Sequence, residues 1–349
     1  MRKVRIAIAA GGTGGHLFPA GEVARALLGA GAEVHLITDS RGKRFARGFW
    51  DAHTIVGGQW SGEGIFRRLA TLVLLCIGCV QSMWILLRLR PRAVIGMGGY
   101  ISVPPIVCGR ILGRRTVIFN ADSVLGNANG LLRHFADKVA LAFADTKGAP
   151  NGAVVVGLPL RADMARAART RYNPLGALAV MGGSQGAQIF SNIVPKAIGL
   201  LPADVRRGLK IYQQVVAEDL GRVRAEYRRL GVEAECRPFF TDSAGILAGA
   251  RLFIGRAGAN TVYEIGCVGR PAVFIPIEHK DQQQVLNAQK IAGAGGAEIL
   301  RQKDATPEAL AGLLARLLGD KRGLAKMAAR AKIFRAHDAA RKIAAMSLG

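Results

Sequence analysis

Short apolar runs alternate along the chain with segments of helical periodicity. The first run, Ile6-Ala7-Ile8-Ala9-Ala10, ends in Gly11-Gly12-Thr13-Gly14-Gly15, and apolar residues then recur at helical spacing from about Phe18 to Gly29. Strand patterns follow at Glu33–Thr38, Ala93–Gly96, Thr116–Phe119 and Lys138–Ala142, with helical patterns near 69–89 and 103–112. The second half repeats the plan: strand 178–181, helix 187–200, strand Lys210–Gln214, helix 218–230, strands Ala234–Arg237 and Arg251–Gly255, helix 259–267, strand Ala272–Pro276, and helices from about 281 onward. Such alternation predicts an α/β chain, with parallel sheets covered by helices on both faces.

One hydrophobic core seldom serves 349 residues, so two domains are expected. The break falls where Val154-Val155-Val156 runs into Gly157-Leu158-Pro159-Leu160-Arg161, followed by polar and basic residues to Pro174. We therefore expect a first domain over 1–158 and a second over 159–332. The helical stretch 306–346 offers a C-terminal helix, about 333–349, that would pack back on the first domain.

Four of the strands end in glycine. These are Gly11 to Gly15, Gly96-Met97-Gly98-Gly99-Tyr100, Gly182-Gly183-Ser184-Gln185-Gly186, and Gly255-Arg256-Ala257-Gly258-Ala259-Asn260. Glycine lets backbone N–H groups approach a ligand, and a following helix turns its positive end toward an anion. Parallel sheets bind ligands at the carboxyl edge of their strands, so the four loops predict two facing rims around a cleft that suits a diphosphate. A dinucleotide fingerprint fails on Leu17, where its third glycine belongs, although Asp39 closes the second strand as a ribose-binding acid would. A phosphate-binding P-loop is excluded, because no Gly-Lys-Ser/Thr follows the glycines. Glu264, near the end of the second turn of the helix from Ala259, could accept ribose hydroxyls or could simply be a surface carboxylate. The run Glu278-His279-Lys280-Asp281-Gln282-Gln283-Gln284 fits sugar hydroxyls, since amides donate and accept, or equally a solvated helix start.

Charge narrows the partners. The formal charge of +24 implies something polyanionic, yet the basic residues are spread in pairs such as Arg67-Arg68, Arg114-Arg115 and Arg206-Arg207. No nucleic-acid-binding motif is visible, so nucleic acid is not an expected partner. Five cysteines and a start that lacks an export pattern point to a reducing, cytoplasmic setting, and Cys76-x-x-Cys79 reads as two buried small residues. The segment from Leu69 to Leu89 has the length and apolarity of a membrane span, with Arg67-Arg68 before it and Arg88, Arg90 and Arg92 at its end. A span, a buried helix and an interfacial helix all need weighing; the last accounts for both apolarity and flanking arginines, and the immediate strand at Ala93 opposes a crossing. No Asp-x-Asp occurs, so no metal is expected, nor any other cofactor, and leaving-group charge would fall to helix N-termini and basic side chains.

Five ordered motifs carry a resemblance: Gly-Gly-Thr-Gly-Gly-His-x-Phe-Pro-Ala (11–20), Gly-Met-Gly-Gly-Tyr (96–100), Gly-Gly-Ser-Gln-Gly-Ala (182–187), Arg-Ala-Gly-Ala-Asn-Thr-Val-x-Glu (256–264) and His-Lys-Asp-Gln-Gln-Gln (279–284). Together they resemble the MurG family of peptidoglycan β-N-acetylglucosaminyltransferases, in register from the first strand to about Gly295. The resemblance implies a GT-B fold, two facing Rossmann-like domains. It also implies inverting transfer of N-acetylglucosamine from UDP-N-acetylglucosamine to the muramoyl 4-hydroxyl of an undecaprenyl-linked lipid acceptor. The setting it implies is peripheral, at the cytoplasmic face of the cell inner membrane, with the anionic membrane surface met through helix 69–89 and other cell-wall synthesis proteins as further candidate partners.

Carried over by motif, Thr13, Gly14 and Gly15 match the first-domain loop at the catalytic cleft, and His16 its histidine, a base or diphosphate contact. Tyr100 ends the second glycine motif, Arg161 matches the arginine after the Gly-x-Pro turn, Ser184 the phosphate-contacting serine, and Phe240 the position whose backbone meets uracil. Ala259, Asn260, Thr261, Val262, Tyr263 and Glu264 match the nucleotide-binding helix, with Glu264 on the ribose, and Gln283 and Gln284 match the sugar-contacting pair. The chain departs at Phe119-Asn120-Ala121-Asp122, where the family usually reads His-Glu-Gln-Asn, and at Ala257, where a serine is usual. Asn120 and Asp122 thus enter the candidate catalytic set, with Asp122 as the charged group that could replace the missing acid. This departure leaves a changed acceptor and a non-catalytic UDP-sugar-binding paralogue as alternatives, and the implied fold, which also hosts sugar-nucleotide epimerases and hydrolases, adds those.

Overall fold

The structure, a computed structural model, describes residues 3–12, 14–45, 51–57, 65–183, 186–278, 281–335 and 338–349. Two compact units emerge, Met1–Arg161 with His337–Gly349, and Ala162–Ala336.

The first unit runs β1 (Arg5–Ala9), α1 (Gly14–Gly29), β2 (Glu33–Thr38), α2 (Ser40–Phe45), β3 (Asp51–Thr54), α3 (Ile65–Leu89), β4 (Ala93–Gly96), α4 (Val103–Ile111), β5 (Arg115–Asn120), α5 (Asn127–Leu132), β6 (Lys138–Leu141) and β7 (Val154–Val155). Its seven strands are parallel in the order β3-β2-β1-β4-β5-β6-β7. β1 and β4 sit centrally and are wholly apolar apart from Arg5, which meets Glu33 on the neighbouring strand at 3.1 Å. Burial on both faces is what a continuous apolar strand requires.

The second unit runs α6 (Ala162–Ala167), β8 (Ala177–Met181), α7 (Gln188–Leu200), α8 (Ala203–Arg206), β9 (Lys210–Gln214), α9 (Leu220–Arg229), β10 (Glu233–Arg237), α10 (Ser243–Gly249), β11 (Ala250–Gly255), α11 (Ala259–Val268), β12 (Ala272–Phe274), α12 (Gln283–Ala292), β13 (Ala297–Ile299), α13 (Pro307–Gly319) and α14 (Lys321–Ala331). Its six parallel strands lie in the order β10-β9-β8-β11-β12-β13. The last helix, α15 (Ala339–Leu348), belongs to the first unit, where it lies against α1 and β5 with Ile343 fully buried and Arg115 Nη1 donating to the Met346 carbonyl.

Three short elements escape the periodicity. β3 carries the polar pattern Asp-Ala-His-Thr and pairs in register with β2, His35 opposite Asp51. β13 has only three residues, and α6 occupies the stretch read as polar linker, anchored by fully buried Met164. Val154–Val155, taken as the start of the domain break, is the edge strand of the first sheet. Each element is shorter than the window over which periodicity is measured.

Candidate active site

In the first unit the rim is built on the ends of β1, β4 and β5. Helix α1 starts at Gly14, so His16 stands in its first turn; Gly14 is buried and Gly15 exposed, while Thr13 lies outside the described residues. The His16 ring rests on the Gly98–Gly99 backbone. A Cβ on Gly98 would lie 2.9 Å from its Cδ2 and 3.0 Å from its Nε2. Both glycines also have positive φ, 101° and 76°, so glycine is required there twice, for the turn and for the ring. The buried Ser102 hydroxyl binds the rim together, 3.1 Å from the Ala9 carbonyl and 2.9 Å from that of Gly98. Tyr100 opens the single 3-10 turn after the glycines and packs partly against the core.

Enclosure holds the His16 imidazole below its ordinary 6.5, and the negative charge of Asp122 acts against that shift. The ring is therefore neutral at pH 7, with a carboxylate near enough to stabilise a proton arriving on it. Asn120 serves differently. It is buried, its Nδ2 donates to the carbonyls of Asp122 (2.7 Å) and Val124 (3.1 Å), and its Oδ1 accepts from Gly126 N (3.3 Å) and Asn129 Nδ2 (3.1 Å). Both amide hydrogens and both lone pairs are committed, so Asn120 shapes the loop that presents Asp122 and has no atom left for the reaction. Asn129, which periodicity did not single out, fixes it further by donating to the Phe119 carbonyl at 3.0 Å. Arg161 follows the Gly157 turn (φ 85°) and lies 5.9 Å from the centroid of the Phe18 ring.

The second unit presents its rim at the ends of β8 to β12. Gly182 and Gly183 leave β8; Ser184 lies outside the described residues. A Cβ on Gly182 would fall 2.3 Å from Ala187 N, which confines that position to glycine. Helix α11 begins after Gly258, whose lack of a side chain leaves the helix start without a capping side chain from that position. Asn260, Thr261 and Glu264 are partly accessible along it. Val262 is fully buried, Tyr263 stacks on Phe334 at 4.4 Å, and Ala259 is buried, so the side chains of Val262 and Tyr263 pin the helix to its core. Phe240 is buried edge-on to Tyr212, in a pocket of about 600 Å³ shared with Arg237 and Asp242.

Gln283 opens α12 and is partly accessible. Gln284 Oε1 accepts from Ala257 N (3.3 Å) and Ile277 N (3.0 Å), tying the loops after β11 and β12 and leaving its amide nitrogen for a ligand. On the other side Gln214, missed by the motif reading, has Oε1 on Gly182 N and Nε2 on the carbonyls of Gly183 and Pro238. The signal was present as two glutamines closing a strand whose last positions are buried. Asp39 caps α2 through Gly42 N at 2.8 Å and pairs with Arg41, which explains that acid without a ribose. Among the described residues no group of three or more His, Cys, Asp or Glu side chains is placed to hold a metal.

The glycosyltransferase family 28 N-terminal domain matches residues 6–141, and the C-terminal domain of the same family matches 177–343. A UDP-N-acetylglucosamine–N-acetylmuramyl-(pentapeptide) pyrophosphoryl-undecaprenol N-acetylglucosamine transferase of Allorhizobium ampelinum is 42% identical over 95% of this chain and 91% of its own. The chain belongs to glycosyltransferase family 28. A second family 28 relative of the same description, from Rhizobium meliloti, is 40% identical over 99% of this chain and 95% of its own. Among solved structures, Acinetobacter baumannii MurG superposes with a TM-score of 0.81 at 28% identity, covering 99% of both chains. A Listeria monocytogenes protein described as a putative UDP-N-acetylglucosamine 2-epimerase reaches 0.68 at 13% identity over 98% of this chain and 95% of its own, a likeness of fold alone. The family 28 fold is GT-B, two parallel-sheet α/β domains, and the two units here are of that kind.

Proposed function

We propose that this family 28 chain transfers N-acetylglucosamine from UDP-N-acetylglucosamine to the muramoyl 4-hydroxyl of undecaprenyl-diphospho-muramoylpentapeptide, with inversion, in peptidoglycan synthesis. The observation that carries the reading is the 42% identity, over nearly the whole chain, to a transferase of that description. The acceptor oxygen attacks C1 of the sugar as the C1–O bond to the β-phosphate breaks. Its proton passes to a base and UDP departs from the opposite face. Neutral His16, backed by the Asp122 carboxylate, is suited to receive that proton. The uncapped start of α11 and the Gly182–Gly183 loop suit the diphosphate, Glu264 the ribose, and the free amide of Gln284 together with Gln283 the sugar hydroxyls.

The lipid acceptor calls for a membrane face, and α3 supports one. Its inward side carries Ser82, Ile85 and Leu86, all buried, while Leu69, Leu72, Val73, Ile77, Val80, Trp84 and Leu87 are exposed at helical spacing. Residues 69–89 are long and apolar enough to cross a bilayer, but a helix packed along one side against α4 suits a surface position with only its outer stripe immersed. The Arg88 guanidinium stacks 3.6 Å from the Trp84 ring centre, a pairing that suits the headgroup layer of an anionic cytoplasmic leaflet.

Radiolabelled UDP-N-acetylglucosamine with the muramoylpentapeptide lipid tests the reaction: a lipid-linked disaccharide is expected. Donor binding with no product on that lipid would instead favour the second reading, a different acceptor, which the Phe119-to-Asp122 departure motivates.

A further inference from the structure

Two loops of the second unit that the proposed donor would touch at opposite ends are joined by one buried side chain. β9 lies between β8 and β10, and Gln214 is its last residue. From that central position the side chain reaches both neighbours. Its Oε1 accepts from Gly182 N at 3.0 Å, while its Nε2 donates to the Gly183 carbonyl at 2.9 Å and the Pro238 carbonyl at 3.2 Å. Both amide hydrogens are used, and the side chain is almost fully buried.

The first two bonds fix the glycine loop on its β8 side. Gly183 turns with φ 86°, and its carbonyl also accepts from Gly186 N at 3.0 Å, so Gln214 holds the very group that closes the loop. The third bond fixes the segment leaving β10 two residues before Phe240. Glycine resists bending poorly, and two glycines in succession would sample many conformations without a fixed partner. A primary amide is the one side chain that offers an acceptor and two donors on a single planar group. Carboxylate would repel both carbonyls, and an apolar side chain would take this partner from Gly182 N and the Pro238 carbonyl and leave the Gly183 carbonyl only Gly186 N.

We propose that Gln214 is a positioning residue for the donor nucleotide: it locks the phosphate-side loop and the uracil-side loop into one preformed cradle, so that a uridine diphosphate is bound at both ends without ordering either loop on arrival. The inference rests on the donor reading given above. Preorganisation of this kind acts on affinity, because a ligand meeting loose loops must order them itself. It leaves the acceptor and the base chemistry alone.

The test is UDP titration by calorimetry on the full chain, with steady-state kinetics, comparing wild type with Gln214→Met and Gln214→Glu. For Gln214→Met the dissociation constant for UDP is expected to rise about tenfold or more, with the KM for the sugar nucleotide rising in step, kcat falling less than threefold and the KM for the lipid unchanged. Gln214→Glu supplies the control if the methionine variant fails to fold. Protonation restores one donor to that side chain, so its UDP affinity relative to wild type should improve as pH is lowered from 8 toward 5.5. A folded variant that binds UDP within twofold of wild type, with no such pH trend, overturns the clamp while leaving the donor reading intact. Wild-type protein that fails to bind UDP overturns the donor reading itself, and the clamp with it.

Discussion

At Gly98 a backbone turn and a ring contact coincide, and the His16 imidazole depends on both. Gly98→Ala would force φ near 101° on a residue with a Cβ and push that Cβ into the ring, at a cost of about 1–3 kcal/mol for the backbone alone. The expected outcome is a lower thermal midpoint and a loss of turnover larger than any loss of UDP affinity, read by melting and by kinetics. Asp122 offers a sharper test. Burial lowers the His16 pKa and Asp122 raises it, so Asp122→Asn should move the acid limb of kcat/KM further down in pH and lower turnover roughly 10²–10⁴-fold, the range for loss of acid–base assistance. Unchanged turnover would remove Asp122 from the chemistry. Asn120 shows how one residue type misleads at this scale: its motif position suggests reaction, whereas its four hydrogen-bonding capacities are absorbed by the loop.

Helix α3 shows what periodicity does and does not say about an element. Its length and apolarity are plain in the sequence, but which side docks is set by Gln81, whose Oε1 accepts from Val56 N, and by Cys79, whose carbonyl receives the Cys108 thiol. Those contacts turn the Val80 stripe outward, leaving Val80 71% exposed. Replacing Ile77 and Val80 with Asp should therefore cut co-sedimentation with anionic vesicles at least tenfold while UDP binding in solution stays at the wild-type level. Equal vesicle binding by that double variant would dismiss the stripe as the membrane contact. Helix α11 makes the complementary point. A six-residue motif carried over as one block divides, once folded, into accessible Asn260, Thr261 and Glu264 and buried Ala259, Val262 and Tyr263.

For the whole molecule, acid should be destabilising in two stages. His16 and His53 are both held below their ordinary 6.5, by burial first of all. Above 6.5 they are neutral folded or unfolded; below it the unfolded chain takes up protons that the folded chain resists, so stability is lost as pH falls. Glu33 is held below its ordinary 4.5, chiefly by its hydrogen bond to Arg5, and that contribution is lost only at lower pH. The surface pairs Glu226–Arg229 and Glu278–Arg301 add little, because solvent screens them. Thermal unfolding at constant salt should show a plateau near pH 7, a decline beginning below about 6.5, and a steeper one below 4.5. A flat midpoint from pH 7 to 5 would contradict the histidine assignment. With a net charge of +24, added salt should raise the midpoint throughout by screening self-repulsion.

The order of strands and helices, the glycine loops at the carboxyl ends of the strands and the family itself were all determined by the sequence, because burial on two faces demands apolar runs and close backbone approach demands glycine. Short elements with little to bury, such as β3 and β13, carried no periodic signal. The tertiary structure alone decided which polar side chains face a ligand and which are consumed inside the protein. Hydrogen bonds between residues far apart in sequence, as from Gln214 to Gly182 or from Gln284 to Ala257, depend on which strands become neighbours, and a linear pattern of residue types does not contain that.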